Sequence, residues 1–448
     1  MNPGIADELL RAGLSPAEAE SKAEIFRRCE EALKIRAAES TGAPVRCYVP
    51  GRIEVLGKHT DYAGGRSLLC AVERGICAVA VPRSDHVVRM TDVLREQECQ
   101  FAVSPELDPR SDNWAIYPKT VARRLARNFP GRWVGMDMAF GSDLPRASGM
   151  SSSSALLTAT YLLLEQFNGL SARPEFERDI RSPEERATYI GCIENGQTFG
   201  PLQGDAGVGT FGGSEDHVAI LCSKPGTLRQ YRFCPARRER EVPLPGELTF
   251  VIAVSGVTAD KTGTARGKYN SVSLAAREIL SIWREATGRG DATLFDAATH
   301  ASDAPGRIRR LLGNAKGTAF SSEALLNRFE QFFEESTQIV PGAAEALEAK
   351  KLDAFGRCVD RSQELAEQKL GNQIPQTVEL ARSARALGAI AASAFGAGFG
   401  GSVWAMVRKD IAEEFLTRWD KGYKKEYPME AGKSSFFTSG AGPAAFVF

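Results

Sequence analysis

The stretch "GRIEVLGKHTDYAGG", residues 51–65, decides how the rest of the chain is read. Its apolar members Ile53, Val55 and Leu56 describe a strand bounded by glycines, with Arg52 at its start. The strand runs directly into Lys58, His59, Thr60 and Asp61. A strand end usually carries small turn residues. Two cations, an imidazole and a carboxylate in one such place point to a built polar site.

The chain has 448 residues, 43% of them hydrophobic and 25% charged, which suits a globular protein of two domains or one large two-lobed enzyme. Lysine plus arginine (56) equals aspartate plus glutamate (56), so the basic excess of a nucleic-acid binder is absent. The sequence contains no run of 18 apolar residues and opens without the order of a signal peptide, so no membrane partner is expected. Nine cysteines stand singly with no CxxC pair, which predicts reduced thiols in the cytoplasm. The four histidines (59, 86, 217 and 300) have no metal-motif spacing.

Residues 5–39 read as helical, with Ser15-Pro16 opening a second segment. From Val45 to Val81 the pattern is of strands: "VRCYVP", "RIEVLG", "SLLCAV" and "GICAVAV". "SSSSALLTATYLLLEQF" predicts a helix apolar on all sides and therefore buried. "SPEERATYIGCIENG" predicts a helix with a capping box at Ser182. A glycine-rich loop spans 196–213, after which "HVAILCS" and "LTFVIAVSG" read as strands. Helices predominate from about 270, and "AAFVF" is strand-like again. A linker at 236–247 ("ARREREVPLPGE") divides an α+β protein into lobes of 1–240 and 241–448.

Two segments match GxGxxG, at Gly207-Gly209-Gly212 and Gly396-Gly398-Gly401. Neither has a strand before it and a helix after it, so a dinucleotide fold is disfavoured. The better phosphate cradle is "ASGMSSSS" (147–154), where Gly149 permits a tight turn and serines open the buried helix. A helix N-terminus offers unpaired N–H groups and positive dipole character to an anion. The alternative is that the serines only cap the helix.

Together the three segments resemble the GHMP kinases, and among them the galactokinases. "GRIEVLGKHTDY" resembles GRxNxxGEHxDY, "PRASGMSSSS" resembles PxGxGLSSSA, and "GAGFGGS" (396–402) resembles GAGxGG, in the family's order. The resemblance implies a two-lobed fold, with an N-terminal lobe related to a ribosomal-protein domain and a ferredoxin-like C-terminal lobe. It implies ATP with Mg²⁺ as phosphoryl donor and a monosaccharide hydroxyl, typically the anomeric one, as acceptor. By position, Ala147, Ser148, Gly149, Met150, Ser151, Ser152 and Ser153 would wrap the triphosphate. Gly396 to Gly401, Gly398 among them, would brace that loop, while Ser153 and Glu194 would hold Mg²⁺. Lys58, His59, Thr60, Asp61, Gly213 and Tyr269 would face the sugar. Asp216 in "GSEDH" matches the base of a GxxDQ segment, with Asp205 as its competitor, and Arg52 would keep the base ionised and stabilise the transferring group.

Three departures bear on these expectations. Ala147 replaces a glycine, which is expected to alter the loop path. Glu54 replaces an asparagine, and Lys58 replaces the glutamate that faces the C6 hydroxyl of the sugar. Lys58 therefore raises the expectation of a uronate or otherwise altered sugar, unless it pairs internally with Glu54. A sugar sensor without turnover is the rival from another functional class.

Overall fold

The computed structural model describes residues 4–34, 42–111, 113–258 and 263–448. Two long strands, β1 (Val45–Leu56) and β2 (Arg66–Pro82), form the antiparallel ribbon on which the first lobe is built. The four short strands read from the sequence are thus two continuous ones. Their register shifts between Pro50 and Arg52 and again between Glu54 and Leu56. Such irregularities bend a strand locally and re-aim its side chains. Strands β3 (Val87–Asp92), β4 (Gln97–Ala102), β5 (Met136–Ser142), β6 (Thr227–Arg232) and β7 (Arg237–Pro243) complete most of this sheet.

The second sheet contains β8 (Leu248–Val254), β9 (Ala391–Phe395), β10 (Ser402–Arg408) and β11 (Ser435–Ser439), in the spatial order β11-β8-β10-β9. Helices separate β8 from β9 and β10 from β11, giving the βαββαβ pattern of a ferredoxin-like lobe. β12 (Phe446–Val447) leaves this lobe and pairs with β1 of the first sheet.

The helix Ser152–Phe167 is buried along nearly its whole length, as its apolar circumference requires. Ser182 caps the helix Pro183–Asn195 by accepting a bond from the Glu185 N–H at 3.1 Å. Helices Ile5–Ala12 and Pro16–Lys34 occupy the N-terminal region; the part of the helical reading at 35–39 lies outside the described residues. Two readings are corrected. "HVAILCS" belongs to a helix, Glu215–Cys222, because an apolar run this short fits either element, and Glu215 and Asp216 favour a helix N-terminus. The segment expected as a linker forms β7 over 237–243, paired with β6; the chain passes to the second sheet over residues 244–247.

The lobes meet along a seam of backbone contacts. Gly149 and Gly396 both have positive φ (80° and 78°), and a Cβ on Gly396 would lie 2.6 Å from the Gly149 carbonyl oxygen. Ser402 donates to the Ser148 carbonyl at 2.7 Å across the same seam.

Lys58 is part of this seam and not of the cleft, which corrects its reading as a sugar contact. Its ammonium is buried and donates to Ser393 Oγ (2.8 Å) and Ser362 Oγ (3.1 Å) of the second lobe. Glu335, itself buried, accepts from the Gly57 N–H at 2.8 Å and from Ser362 Oγ at 2.9 Å. The positive φ of Gly57 (110°) and His59 (58°) turns the chain here, so the strand's alternation does not carry through to Lys58.

Two outcomes are expected from the seam. Gly396→Ala forces a Cβ onto backbone at a left-handed position and should cost roughly 2–4 kcal/mol in urea unfolding. Lys58→Ala removes a buried charge from among Glu54, Glu335 and two hydroxyls and should cost about 3–5 kcal/mol. A loss below 1 kcal/mol in either variant would contradict the packing described.

Candidate active site

Arg52 and Glu54 are two residues apart on β1, so their side chains leave the same face of the ribbon. Both line a cleft together with His59, Asp61, Gly213, Glu215, Asp216 and Tyr269. Asp61 opens a short 3₁₀ turn, Asp61–Ala63, and its Oδ2 accepts the Glu215 N–H at 3.1 Å. A Cβ on Gly213 would lie 2.2 Å from that same oxygen, so only glycine lets the two segments approach. His59 contacts the Ala397 carbonyl through Nε2 (3.0 Å) and the Tyr62 hydroxyl through Nδ1 (3.2 Å). Tyr269, on the helix Gly263–Thr287, lies with its ring centroid 5.4 Å from that of His59. Burial raises its phenol well above the ordinary range, so it stays a hydrogen-bond donor. Thr60 is brought to the same corner but turns inward: the Gly57 and Arg66 carbonyls, both 2.8 Å from its Oγ1, share its one hydroxyl hydrogen.

Arg52 is almost fully buried and joins three elements. Its Nε and Nη2 reach Asp216 Oδ1 at 2.8 and 2.6 Å, and its Nη1 donates to the Gly149 carbonyl. Asp216 sits in the first turn of the helix Glu215–Cys222. Asp205 is elsewhere, held by Arg123 at 2.6 Å and absent from the cleft wall. Arg123 and Arg127 hold its carboxyl below the usual range against the opposing effect of burial.

The loop before the long helix keeps a left-handed path at Ala147 (φ 46°), Gly149 (φ 80°) and Ser151 (φ 59°). Ala147 thus occupies a glycine's conformation at a cost of about 1–2 kcal/mol. Ser148 donates to the Pro145 carbonyl at 2.8 Å, and Met150 is buried in the core. No side chain caps the helix that begins at Ser152, although Ser151 stands at the cap position and its hydroxyl is buried without a partner. The N–H groups of the first turn, at Ser152 and Ser153, are therefore offered outward. Gly398 (φ 77°) packs on Asn372 behind this loop, where a Cβ would meet the Asn372 carbonyl oxygen at 2.4 Å.

The hydroxyl that meets Glu194 is that of Ser154, not Ser153. Ser154 Oγ lies 2.8 Å from Glu194 Oε2 and 3.3 Å from Asp216 Oδ2, so one hydrogen is shared between two carboxylates. His217 Nε2 lies 3.1 Å from the same Glu194 oxygen. No cluster of three or more His, Cys, Asp or Glu able to hold a metal occurs among the described residues. One carboxylate beside a hydroxyl, open to substrate phosphates, nevertheless fits the oxygen chemistry of Mg²⁺.

Glu215 and His217 were given no role in the sequence reading, Glu54 only that of a departure and a partner for Lys58, and Ser154 only that of the end of the phosphate segment. Glu54, Ser154 and His217 stand where the motifs have another residue, which was their signal, whereas Glu215 stands at a position the motif leaves open. The Glu54 and Glu215 carboxyls are neighbours in the cleft wall and act on each other's titration. Burial pushes Glu54 up to about 7, opposed by the charges of Lys58 and Arg52. Burial, and then the proximity of Glu54 and Asp61, push Glu215 well above the usual carboxylate range.

Comparison with known proteins agrees with this geometry. The GHMP kinases N terminal domain matches residues 117–194, the GHMP kinases C terminal domain matches 343–425, and the galactokinase galactose-binding signature matches 38–82. The galactokinase of Exiguobacterium sibiricum is 27% identical over 415 residues, 89% of this chain and 93% of that one. That of Roseiflexus sp. is also 27% identical, over 82% of this chain and 84% of its own length. The crystal structure of Lactococcus lactis galactokinase complexed with galactose superimposes with a TM-score of 0.75 at 21% identity, covering 93% of this chain and 98% of that one. A mevalonate kinase follows at 0.55 and 14% identity, covering 90% of this chain and all of the other. With both family domains, the sugar signature and the fold in register, the chain belongs to the GHMP kinases, on their galactokinase-like side.

Proposed function

We propose that the protein transfers the terminal phosphoryl group of ATP to a monosaccharide hydroxyl, the anomeric one, in the cytoplasm. The observation that carries this reading is the Arg52 bridge, which ties a candidate base, Asp216, to the Gly149 carbonyl of the candidate phosphate loop. Nine unpaired cysteines support a reducing compartment.

In this reading Asp61, His59, Gly213 and Tyr269 orient the sugar. Asp216 Oδ1 is engaged by Arg52, and the carboxylate accepts the hydroxyl proton as the sugar oxygen bonds to phosphorus and the bond to the leaving ADP breaks. Arg52 then faces the charge spreading over the transferred group. Residues 147–153 present backbone N–H groups to the triphosphate. Glu194 and a serine hydroxyl, Ser153 or Ser154, would hold Mg²⁺, which when bound neutralises phosphate charge.

Asp216→Asn should lower turnover by about 10²–10⁴-fold and leave sugar and ATP affinities, measured by calorimetry, within a few-fold of wild type. Asp205→Asn should keep turnover and lose about 1–3 kcal/mol of stability. The reverse pattern in the same ATP-consumption assay would transfer the base to Asp205. Glu194→Gln should raise the Mg²⁺ concentration for half-maximal activity by about tenfold or more. An unchanged metal requirement would remove Glu194 from the site.

A further inference from the structure

Arg52 is the one lysine or arginine among the described residues that line the cleft, and five carboxyls line it with Arg52: Glu54, Asp61, Glu194, Glu215 and Asp216. Four of these are tied to named donors, Glu215 among them through Ser67 Oγ. Asp216 takes Arg52, Glu194 takes Ser154, and Asp61 takes the Glu215 N–H. Glu54 differs: it is 4% exposed, and its Oε1 has no hydrogen-bond partner. A buried carboxylate oxygen in that condition is destabilising until a donor reaches it.

The neighbours of Glu54 define what that donor must be. Glu215 is held by Ser67 Oγ, which donates to it at 2.7 Å, and burial beside Glu54 and Asp61 pushes its carboxyl well above the usual range. The charges of Lys58 and Arg52 favour the ionised form of Glu54 against its burial, and a carboxylate accepts at both oxygens. Lys58 and Arg52 act on it as charges, while their hydrogen bonds run to Ser362, Ser393, Asp216 and the Gly149 carbonyl.

We propose that Glu54 is a specificity-determining residue of the sugar pocket, whose free oxygen accepts a hydrogen bond from a donor on the substrate, so that neutral and amino sugars are accepted and uronates rejected. This rests on the sugar-kinase reading of the same cleft. It reverses the preference that Lys58 suggested, because Lys58 lies outside the cleft wall and a substrate carboxylate would face Glu54, Asp61 and Glu215 with Arg52 already engaged.

The test compares galactose, its single-deoxy derivatives, galactosamine and galacturonate, at saturating ATP, for wild type and Glu54→Asn. The variant restores the residue of the family motif and withdraws the carboxylate. In wild type, one deoxy position should raise KM for the sugar by about 10–100-fold, and galacturonate should be at least tenfold poorer than galactose and galactosamine. In Glu54→Asn, KM for galactose should rise by a similar factor, KM for ATP should stay within twofold, and the penalty of that one deoxy position should vanish. A purely structural role for Glu54 would shift all sugars alike and would overturn the proposal. So would wild-type turnover of galacturonate as good as that of galactose, a result that requires no variant to fold. Calorimetric titration with the same sugars separates the two readings. Glu54-dependent binding without any ATP turnover removes the kinase reading and keeps the Glu54 assignment; binding of none of these sugars overturns both.

Discussion

The guanidinium of Arg52 is the constraint on which the rest of the cleft depends. It comes from the central ribbon of the first lobe and joins a helix N-terminus at Asp216 to the turn at Gly149. Burying a guanidinium is costly unless its hydrogens are all directed at acceptors. Here the acceptors are the candidate base and the candidate phosphate loop, so the stability of the charge and the alignment of the site are one requirement. The Gly149–Gly396 approach extends the same alignment into the second lobe, because backbone packed on backbone leaves no side chain to yield.

A second polar network lies beside the first. Glu54 and Glu215 each adjoin a member of the Arg52–Asp216 pair, two residues away on the strand and one on the helix. The pair therefore raises the carboxyl density of the cleft without adding a cation to its wall. Lys58 compensates from behind, through the seam, and acts on Glu54 as charge rather than as a contact. The exchange of asparagine for Glu54 and of glutamate for Lys58 thus moves a carboxyl from one side of the strand end to the other.

Much of this was legible in the sequence where local physics alone decides. The N-cap at Ser182, the buried helix after the serines and the strand after Gly401 follow from local patterns, although Glu185 accepts from the Arg181 N–H rather than from that of Ser182. The convergence of Arg52, Asp61, Gly213, Asp216 and Tyr269 was legible through ordered motifs. Three features were not. The helix at Glu215–Cys222 has an apolar run too short to choose its element. The direction of Lys58 depends on positive φ at Gly57 and His59 and on serines more than 300 positions away. The choice of Ser154 over Ser153 depends on the helical phase at which Ser152–Phe167 faces Glu194. Periodicity in one segment does not contain such relations between segments.

The return of β12 to the first sheet has a mechanical consequence. The backbone passes between the lobes at residues 244–247 and again between Ser439 and Phe446, so two tethers join them. A single tether would act as a swivel and permit twisting in any direction. Two tethers act as the two knuckles of a door hinge: they leave one rotation, opening and closing about the line that joins them. Any rotation of a lobe on such a hinge would keep its lateral register and bring Gly396 back to Gly149 and Ser402 back to Ser148.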